Sequence, residues 1–289
     1  MNEETCMKFA YSTTLFRLRP LQEAIELIGK GGFNAVELLA DRPHAYPEDI
    51  SAAESARLME CLGQRKLKIC NLSACSVSAL GVKDHPSWLE EDWVQRETRI
   101  RYTLDCMRLA AAMGVPSVST IAAGRIPSTM NRTDAWRLFV ANMQRVLPLA
   151  RKLAVKVLIQ PEPEMLIERS EEILGFLGEF AMDSFLQVDF NLGHFYCAGE
   201  DPLDAWEDLK SHVGIIHIED VPADRKHKHV QLGEGSLDLQ GFLRRVREAE
   251  YEGYVVVKLD SYDQNPEDVV LGSAEYLKRA GFLPNRGDV

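Results

Sequence analysis

Eight short apolar or β-branched runs alternate with longer amphipathic segments along this chain of 289 residues. The runs predict strands at Lys8–Ser12, Ala35–Leu39, Lys68–Ser73, Ser117–Ile121, Lys156–Gln160, Phe185–Phe190, Gly214–Glu219 and Tyr254–Asp260. Apolar spacings of three and four predict helices at Pro20–Lys30, Ser51–Arg65, Trp93–Met113, Thr133–Leu153, Glu171–Phe180, Leu239–Ala249 and Pro266–Arg279. Because no linker or low-complexity segment interrupts this alternation, residues 1–289 are expected to form a single (β/α)8 barrel rather than a doubly wound sheet.

Composition excludes several classes of protein. A net charge of −11 and a pI near 5.2 would repel a polyanion, so no nucleic-acid partner is expected. The acidic N-terminus lacks the basic and apolar parts of a signal peptide, and the sequence has no apolar stretch of 18 residues. We therefore expect a cytoplasmic protein without membrane contact, whose six cysteines, none in a CxxC pair, are reduced thiols.

Polar side chains concentrate where the predicted strands end. In a barrel of this kind the catalytic groups come from the C-terminal ends of the strands. The candidates there are Glu37, Ser73, Thr120, Gln160, Glu162, Asn191, His194, His217, Glu219, Lys258 and Asp260. Lys258 interrupts the apolar run YVVVKLD, and an ammonium that points into the barrel must be paired. We expect Lys258 to point inward and to be functional.

Six segments, which together span most of the chain, carry a family resemblance. They are VELLADRPHAYP (Val36–Pro47), HPSWLE (His85–Glu90), IQPEPEMLIE (Ile159–Glu168), NLGHFYCAGEDP (Asn191–Pro202), HIEDVPADRKHKHVQLGEGSLD (His217–Asp238) and YEGYVVVKLDSY (Tyr251–Tyr262). In this order they resemble the sugar phosphate isomerase/epimerase family of xylose-isomerase-like TIM barrels. The resemblance implies that fold and an active site at the C-terminal mouth.

The resemblance also implies a divalent ion, which family members hold with a Glu, an Asp, a His and a Glu at the ends of strands five to eight. Carried onto this chain, those positions are Gln160, Asn191, His217 and Lys258, so only the histidine is retained. Ile121 also stands where a further Glu is expected. Two amides and an ammonium are poor ligands for Mn²⁺ or Mg²⁺, which prefer anionic oxygen. No cofactor is therefore expected.

The favoured function is a metal-independent isomerase, epimerase or lyase that acts on a carbonyl-bearing, sugar-like or biosynthetic intermediate. Lys258 would polarise the carbonyl in place of the metal, His217 or Glu162 would act as base, and His194 would orient a hydroxyl or carbonyl. If burial lowered its pKa, Lys258 could instead form a Schiff base. The remaining predicted substrate-binding residues are Glu37, His44, Gln160, Asn191, Arg225, His229 and Asp260.

Two alternatives remain open at this point. One is a divalent-metal-dependent isomerase or epimerase with Mn²⁺ or Mg²⁺ in a rearranged site one layer further out, and the other is a non-catalytic ligand-binding homologue. An apurinic endonuclease is disfavoured, because the net charge opposes DNA and several required ligands are missing. The expected partner is a small-molecule substrate, and a homodimer is possible by resemblance to the family.

Overall fold

The computed structural model describes residues 7–75, 77–81, 85–260, 262 and 265–284. Eight parallel strands pair in chain order and close into a barrel, which confirms the predicted fold class. The strands are β1 (Lys8–Ser12), β2 (Ala35–Leu39), β3 (Lys68–Ser73), β4 (Ser117–Ile121), β5 (Lys156–Gln160), β6 (Leu186–Asn191), β7 (Val213–Ile218) and β8 (Tyr254–Val257). The first five have the predicted bounds. β6 and β7 are displaced by one residue, and β8 ends before Lys258.

Helices follow the strands and cover the outside of the barrel. They are α1 (Leu21–Gly31), α2 (Ala52–Gln64), α3 (Trp93–Ala112), α4 (Arg132–Leu153), α5 (Ser170–Gly178), α6 (Leu192–Cys197), α7 (Pro202–Leu209), α8 (Leu239–Glu248) and α9 (Pro266–Arg279). Local chemistry sets several ends: Ser51 and Glu54 form a capping box at α2, and Gly32 ends α1 with a left-handed φ of 90°. The short helices α6 and α7 escaped prediction, because neither is long enough to show a helical period.

Two kinds of core lie on either side of the strands. Large apolar side chains fill the layer between the strands and the helices. Inside the barrel a small apolar cluster consists of Ala10, Ala35, Cys70, Leu158, Ile215 and Val256. Toward the C-terminal ends of the strands the side chains inside the barrel are polar instead of apolar. The barrel interior therefore changes from apolar to charged along its axis.

Among the described residues, no helix combines the length and apolar character needed to cross a membrane. The cysteines in this part of the chain, Cys61, Cys70, Cys75, Cys106 and Cys197, are free thiols. Cys6 lies outside the described residues.

Candidate active site

A buried pair of charged groups, Glu37 on β2 and His217 on β7, crosses the barrel interior. Glu37 Oε2 lies 2.6 Å from His217 Nε2. The same carboxylate accepts hydrogen bonds from Ser12 Oγ at 2.8 Å and from Asn71 Nδ2 at 2.9 Å. Burial alone would raise the pKa of Glu37, but the positive charges of His217 and Lys258 outweigh it and lower the pKa to about 2. Glu37 is therefore an ionised anchor beneath the mouth rather than an exposed substrate ligand.

The second nitrogen of His217 is also engaged. Nδ1 lies 2.6 Å from Asp189 Oδ1 and 2.9 Å from the side-chain Nε2 of Gln160. The approach of Asp189 is an ionic contact outside hydrogen-bonding geometry. Burial lowers the pKa of His217, but Asp189 and Glu37 together raise it to about 9. His217 is thus a protonated group held between two carboxylates, which does not suit it to act as a base near neutral pH.

Lys258 lies just beyond the end of β8, with its side chain at the floor of the mouth. The residue is 8% exposed, and Nζ donates to Ser73 Oγ at 3.4 Å. Burial lowers the pKa of Lys258, but the negative charge of Glu37, assisted by other groups, outweighs it and raises the pKa. A Schiff base requires the opposite shift, so the structure argues against that alternative and for a fixed positive charge.

The position that the family assigns to a divalent ion does not fit one in this chain. An ammonium replaces one ligand, and the nitrogens of His217 already face Glu37, Asp189 and Gln160. Asn191 Oδ1 accepts a hydrogen bond from the backbone N of His194 at 3.0 Å and so caps α6. The buried amide therefore has a local structural role that needs no metal.

A cavity of about 260 Å³ opens above this buried layer at the C-terminal ends of the strands. Its walls include the predicted residues Gln160, Glu162, His194, His229, Lys258 and Asp260, together with Thr14, Arg17, Leu39, Ser73, Cys75, Ser78 and His227. A larger cavity, of about 640 Å³, lies at the opposite end beside Trp206 and Tyr251. In barrels of this fold chemistry occurs at the C-terminal end, so the smaller cavity is the candidate active site.

Besides Glu37 and Asn191, two further predicted substrate ligands lie outside the cavity wall. His44 is buried, with Nδ1 3.1 Å from Thr13 Oγ1 and Nε2 3.1 Å from the carbonyl oxygen of Arg19. Arg225 is exposed and stacks over the ring of Tyr196 at 4.4 Å. The structure gives both residues a place in loop packing instead of a place in the cavity wall.

Three histidines gather at the rim of the cavity. One ligand-capable atom from each of His194, His227 and His229 lies within 4.8 Å of those of the other two. His194 Nδ1 is 2.8 Å from the carbonyl oxygen of Pro161, an arrangement in which the ring N–H donates and Nε2 remains an acceptor. Burial, followed by the nearby charges of His227 and His229, holds the pKa of His194 well below its usual value.

The loop after β7, residues 219–238, owes its course to one carboxylate. Asp220 accepts hydrogen bonds from the backbone N–H groups of Gly233, Gly235 and Leu237 at 2.9–3.1 Å. Asp220 also forms an isolated bridge with Val230. A Cβ atom on Gly235 would collide with the Asp220 carboxylate, so glycine is needed at this position for the close approach. The folded loop brings His227 and His229 back over the mouth.

Glu219 is a buried carboxylate directly behind the histidines. It is fully buried, its oxygens have no hydrogen-bond partner among the described residues, and Oε1 lies 4.0 Å from His229 Nε2. Burial raises its pKa to about 7 despite the opposing positive charges of His229, His217 and Lys258. Gly193 makes room for it, because a Cβ there would overlap the Glu219 carboxylate.

Asp189 and His227 are two titratable residues of this region that the sequence did not single out. Asp189 lies on β6 two positions before Asn191, and this alternation was the available signal that it faces the interior. The spacing of two between His227 and His229 is visible in the sequence, but the approach of His227 to His194 depends on the fold of the loop.

A parallel barrel with titratable groups at its C-terminal mouth is the architecture of a large class of enzymes. Residues 25–280 match the xylose isomerase-like TIM barrel family, and the chain belongs to that family. It is similar to inosose dehydratase from Lacticaseibacillus casei, with 23% identity over 169 residues, 52% of this chain and 56% of the relative. The chain thus spans about half the length of such curated relatives.

Solved structures share the fold over nearly the whole chain. The 3-keto-D-glucoside 4-epimerase of E. coli superposes with a TM-score of 0.78 at 14% identity, covering 94% of this chain and 99% of that protein. The IolI protein, solved with a bound zinc atom, superposes with a TM-score of 0.76 at 18% identity, covering 95% of this chain and 98% of that protein. At these identities the likeness concerns the fold.

Proposed function

We propose that this protein is an isomerase, epimerase or lyase that removes a proton next to the carbonyl group of a small polyhydroxylated substrate. One observation carries the proposal: the Lys258 ammonium lies in the floor of the cavity, where the family resemblance expects a metal ligand. A cation is therefore retained at the reacting centre, although the position no longer suits a divalent ion. The proposed chemistry therefore needs no metal ion at the position where the family resemblance expects one.

Lys258 would act on the carbonyl oxygen of the substrate. When a proton leaves the neighbouring carbon, negative charge develops on that oxygen, and a pre-positioned ammonium stabilises it most strongly where water is excluded. Glu37 keeps the ammonium charged, and Ser73 orients it. Loss of a comparable oxyanion-stabilising group typically lowers kcat by about 10²–10³.

Glu162 is the best-placed base. Glu162 is 9% exposed and contributes to the cavity wall, whereas His217 lies beneath the cavity and each of its nitrogens faces a carboxylate. The carboxylate would take the proton from carbon. It would return the proton to the former carbonyl carbon in an isomerase, or deliver it to a departing hydroxyl as water in a lyase. An epimerase would need, in addition, a second proton donor on the opposite face of the enolate.

The relatives indicate which compounds to try first. Inosose dehydratase and 3-keto-D-glucoside 4-epimerase are both named for substrates with a ketone on a polyhydroxylated ring. Such compounds have an acidic C–H beside the carbonyl, and their hydroxyl groups could bond to Gln160 and Asp260 in the cavity wall. Inososes and 3-keto-D-glucosides are accordingly the first test panel.

The test follows exchange of the substrate C–H for deuterium in D2O by NMR. The wild-type protein should catalyse exchange on a panel compound, and Lys258→Met should lower the rate about 100-fold or more. Lys226→Met is the matched control, because Lys226 is exposed on the loop and pairs with Asp224. Retention of the wild-type rate by Lys258→Met would refute the role given to Lys258.

The same assay separates the two alternatives. Exchange that depends on added Mn²⁺ or Mg²⁺ and survives Lys258→Met would favour a divalent-metal-dependent isomerase or epimerase with a rearranged ion site. Binding of a panel compound with neither exchange nor conversion to a product would favour a non-catalytic ligand-binding homologue.

A further inference from the structure

We propose that His194, His227 and His229 form a binding site for a divalent transition metal ion, with Zn²⁺ the best match. The site lies at the rim of the cavity and uses none of the four positions that the family resemblance assigns to an ion. It does not depend on the reaction proposed above, because Lys258 remains the cation in the floor.

The spacing of the three side chains is close to that of a metal site. Their ligand-capable atoms lie within 4.8 Å of one another. Nitrogen ligands around tetrahedral zinc, with bonds of about 2.0–2.1 Å, stand roughly 3.4 Å apart. The distances between these ligand atoms would therefore have to shorten by at most about 1.4 Å to form the site. The His227 side chain, which is 27% exposed on its loop, has room to move by this amount.

An oxygen atom lies beside each of the three rings. Ligating histidines usually donate their other N–H to a carbonyl or carboxylate, which fixes the ring and its tautomer. The His194 ring meets this condition, because Nδ1 lies 2.8 Å from the Pro161 carbonyl oxygen. His227 Nδ1 lies 3.9 Å from Glu162 Oε1, and His229 Nδ1 lies 3.4 Å from Asp260 Oδ1 without hydrogen-bonding geometry. A carboxylate is therefore near enough to each of these two rings to accept its N–H after a small movement.

Charge and ligand type select the ion. Neutral imidazoles suit Zn²⁺, Co²⁺ and Ni²⁺, whereas Mg²⁺ and Ca²⁺ need a shell of oxygen ligands. Glu162, Glu219 and Asp260 lie around the cluster and offset the charge of a dication, as well as the repulsion from Lys258. Three protein ligands leave a fourth position open, as in zinc sites that bind water or substrate.

A bound ion would join two separate elements. His194 belongs to α6, whereas His227 and His229 belong to the loop of residues 219–238. The ion would therefore fasten this loop over the mouth. Trypsin can report on this, because Arg225, Lys226 and Lys228 are exposed on the same loop.

The experiment titrates the chelator-treated full chain with Co²⁺, monitored by its visible absorption, and with Zn²⁺ in competition. We expect one ion per chain, bound at micromolar concentration or below, together with slower tryptic cleavage of the loop when Zn²⁺ is added. Mg²⁺ should produce neither effect.

Variants assign the ion to the cluster. His227→Ala should weaken Co²⁺ binding about 100-fold or more and abolish the protection from trypsin, and His229→Asn should do the same. His212→Ala, on the short helical turn before β7, is the control and should bind like the wild type. Lys258→Met should also keep the ion, which separates this proposal from the proposed reaction. Wild-type binding only above millimolar, or unchanged binding by His227→Ala, would overturn it.

Discussion

Replacement of Glu37 by Gln would test the buried charge network most directly. The change keeps the size of the side chain but removes one of two carboxylates that face the positive charges of His217 and Lys258. It also places an amide N–H₂ where Ser12, Asn71 and His217 all present donors. Removing one partner of a buried pair typically costs about 3–5 kcal/mol, because the other charge is left uncompensated.

The pKa of His217 gives a second route to the same magnitude. A rise from 6.5 to about 9 corresponds to roughly 3 kcal/mol of folding stability. Because the pKa is raised on folding, this stability is complete below pH 6.5 and is lost as the pH rises through about 9. Glu37, with its pKa lowered to about 2, contributes above pH 4.5 and loses its contribution on acidification toward pH 2. These two values describe one interaction and are not additive.

Urea unfolding followed by tryptophan fluorescence would measure the effect. At pH 6, Glu37→Gln should lower the free energy of unfolding by about 3–5 kcal/mol, and the alkaline loss of stability should begin at a lower pH than in the wild type. Glu275→Gln is the control, because that exposed carboxylate pairs with Arg279 one turn along α9 and should change the free energy of unfolding by at most about 0.5 kcal/mol. A Glu37→Gln protein within about 1 kcal/mol of the wild type at pH 6 would refute the reasoning.

Two further substitutions test neighbouring contacts. Asp189→Asn removes the other carboxylate beside His217, so the imidazole resonances in NMR should titrate at a lower pH than in the wild type; an unchanged pKa would contradict the ionic contact. Gly193→Ala places a methyl group against the Glu219 carboxylate and should lower the thermal midpoint, whereas Gly178→Ala meets open space and should not. Equal thermal midpoints for the two variants would contradict this expectation, because they would show that α6 can move away from Glu219 without a loss of stability.

The sequence was sufficient for the fold because each strand carries its own signal. Short β-branched runs between amphipathic segments predicted eight strands, and the closed barrel confirms them. The errors fall at β6, β7 and β8, where polar residues of the site follow the apolar run and blur the end of the strand. The lysine that interrupts the run YVVVKLD predicted a buried, paired charge, and Glu37 is the chief group that keeps Lys258 charged in the structure.

The arrangement of the site was only partly predictable, because its contacts join residues far apart in the chain. The pairing of Glu37 with His217 spans 180 positions, and no local pattern encodes it. The arguments from the family positions considered two amides, one histidine and one ammonium. They omitted Asp189 and Glu37, which balance His217 and Lys258. The course of the loop after β7 depends on bonds to Asp220, so the meeting of His227 with His194 could not be foreseen.

The balanced interior also limits how this barrel can evolve. The negative charges of Glu37 and Asp189 balance the positive charges of His217 and Lys258. Each of these buried charges is therefore stable only while the others are present. A single mutation of Lys258 to Glu would leave three buried acids around one imidazolium, and only an added cation could compensate. A change at one of these four positions therefore leaves a buried charge unbalanced, unless a second position changes with it or an ion compensates.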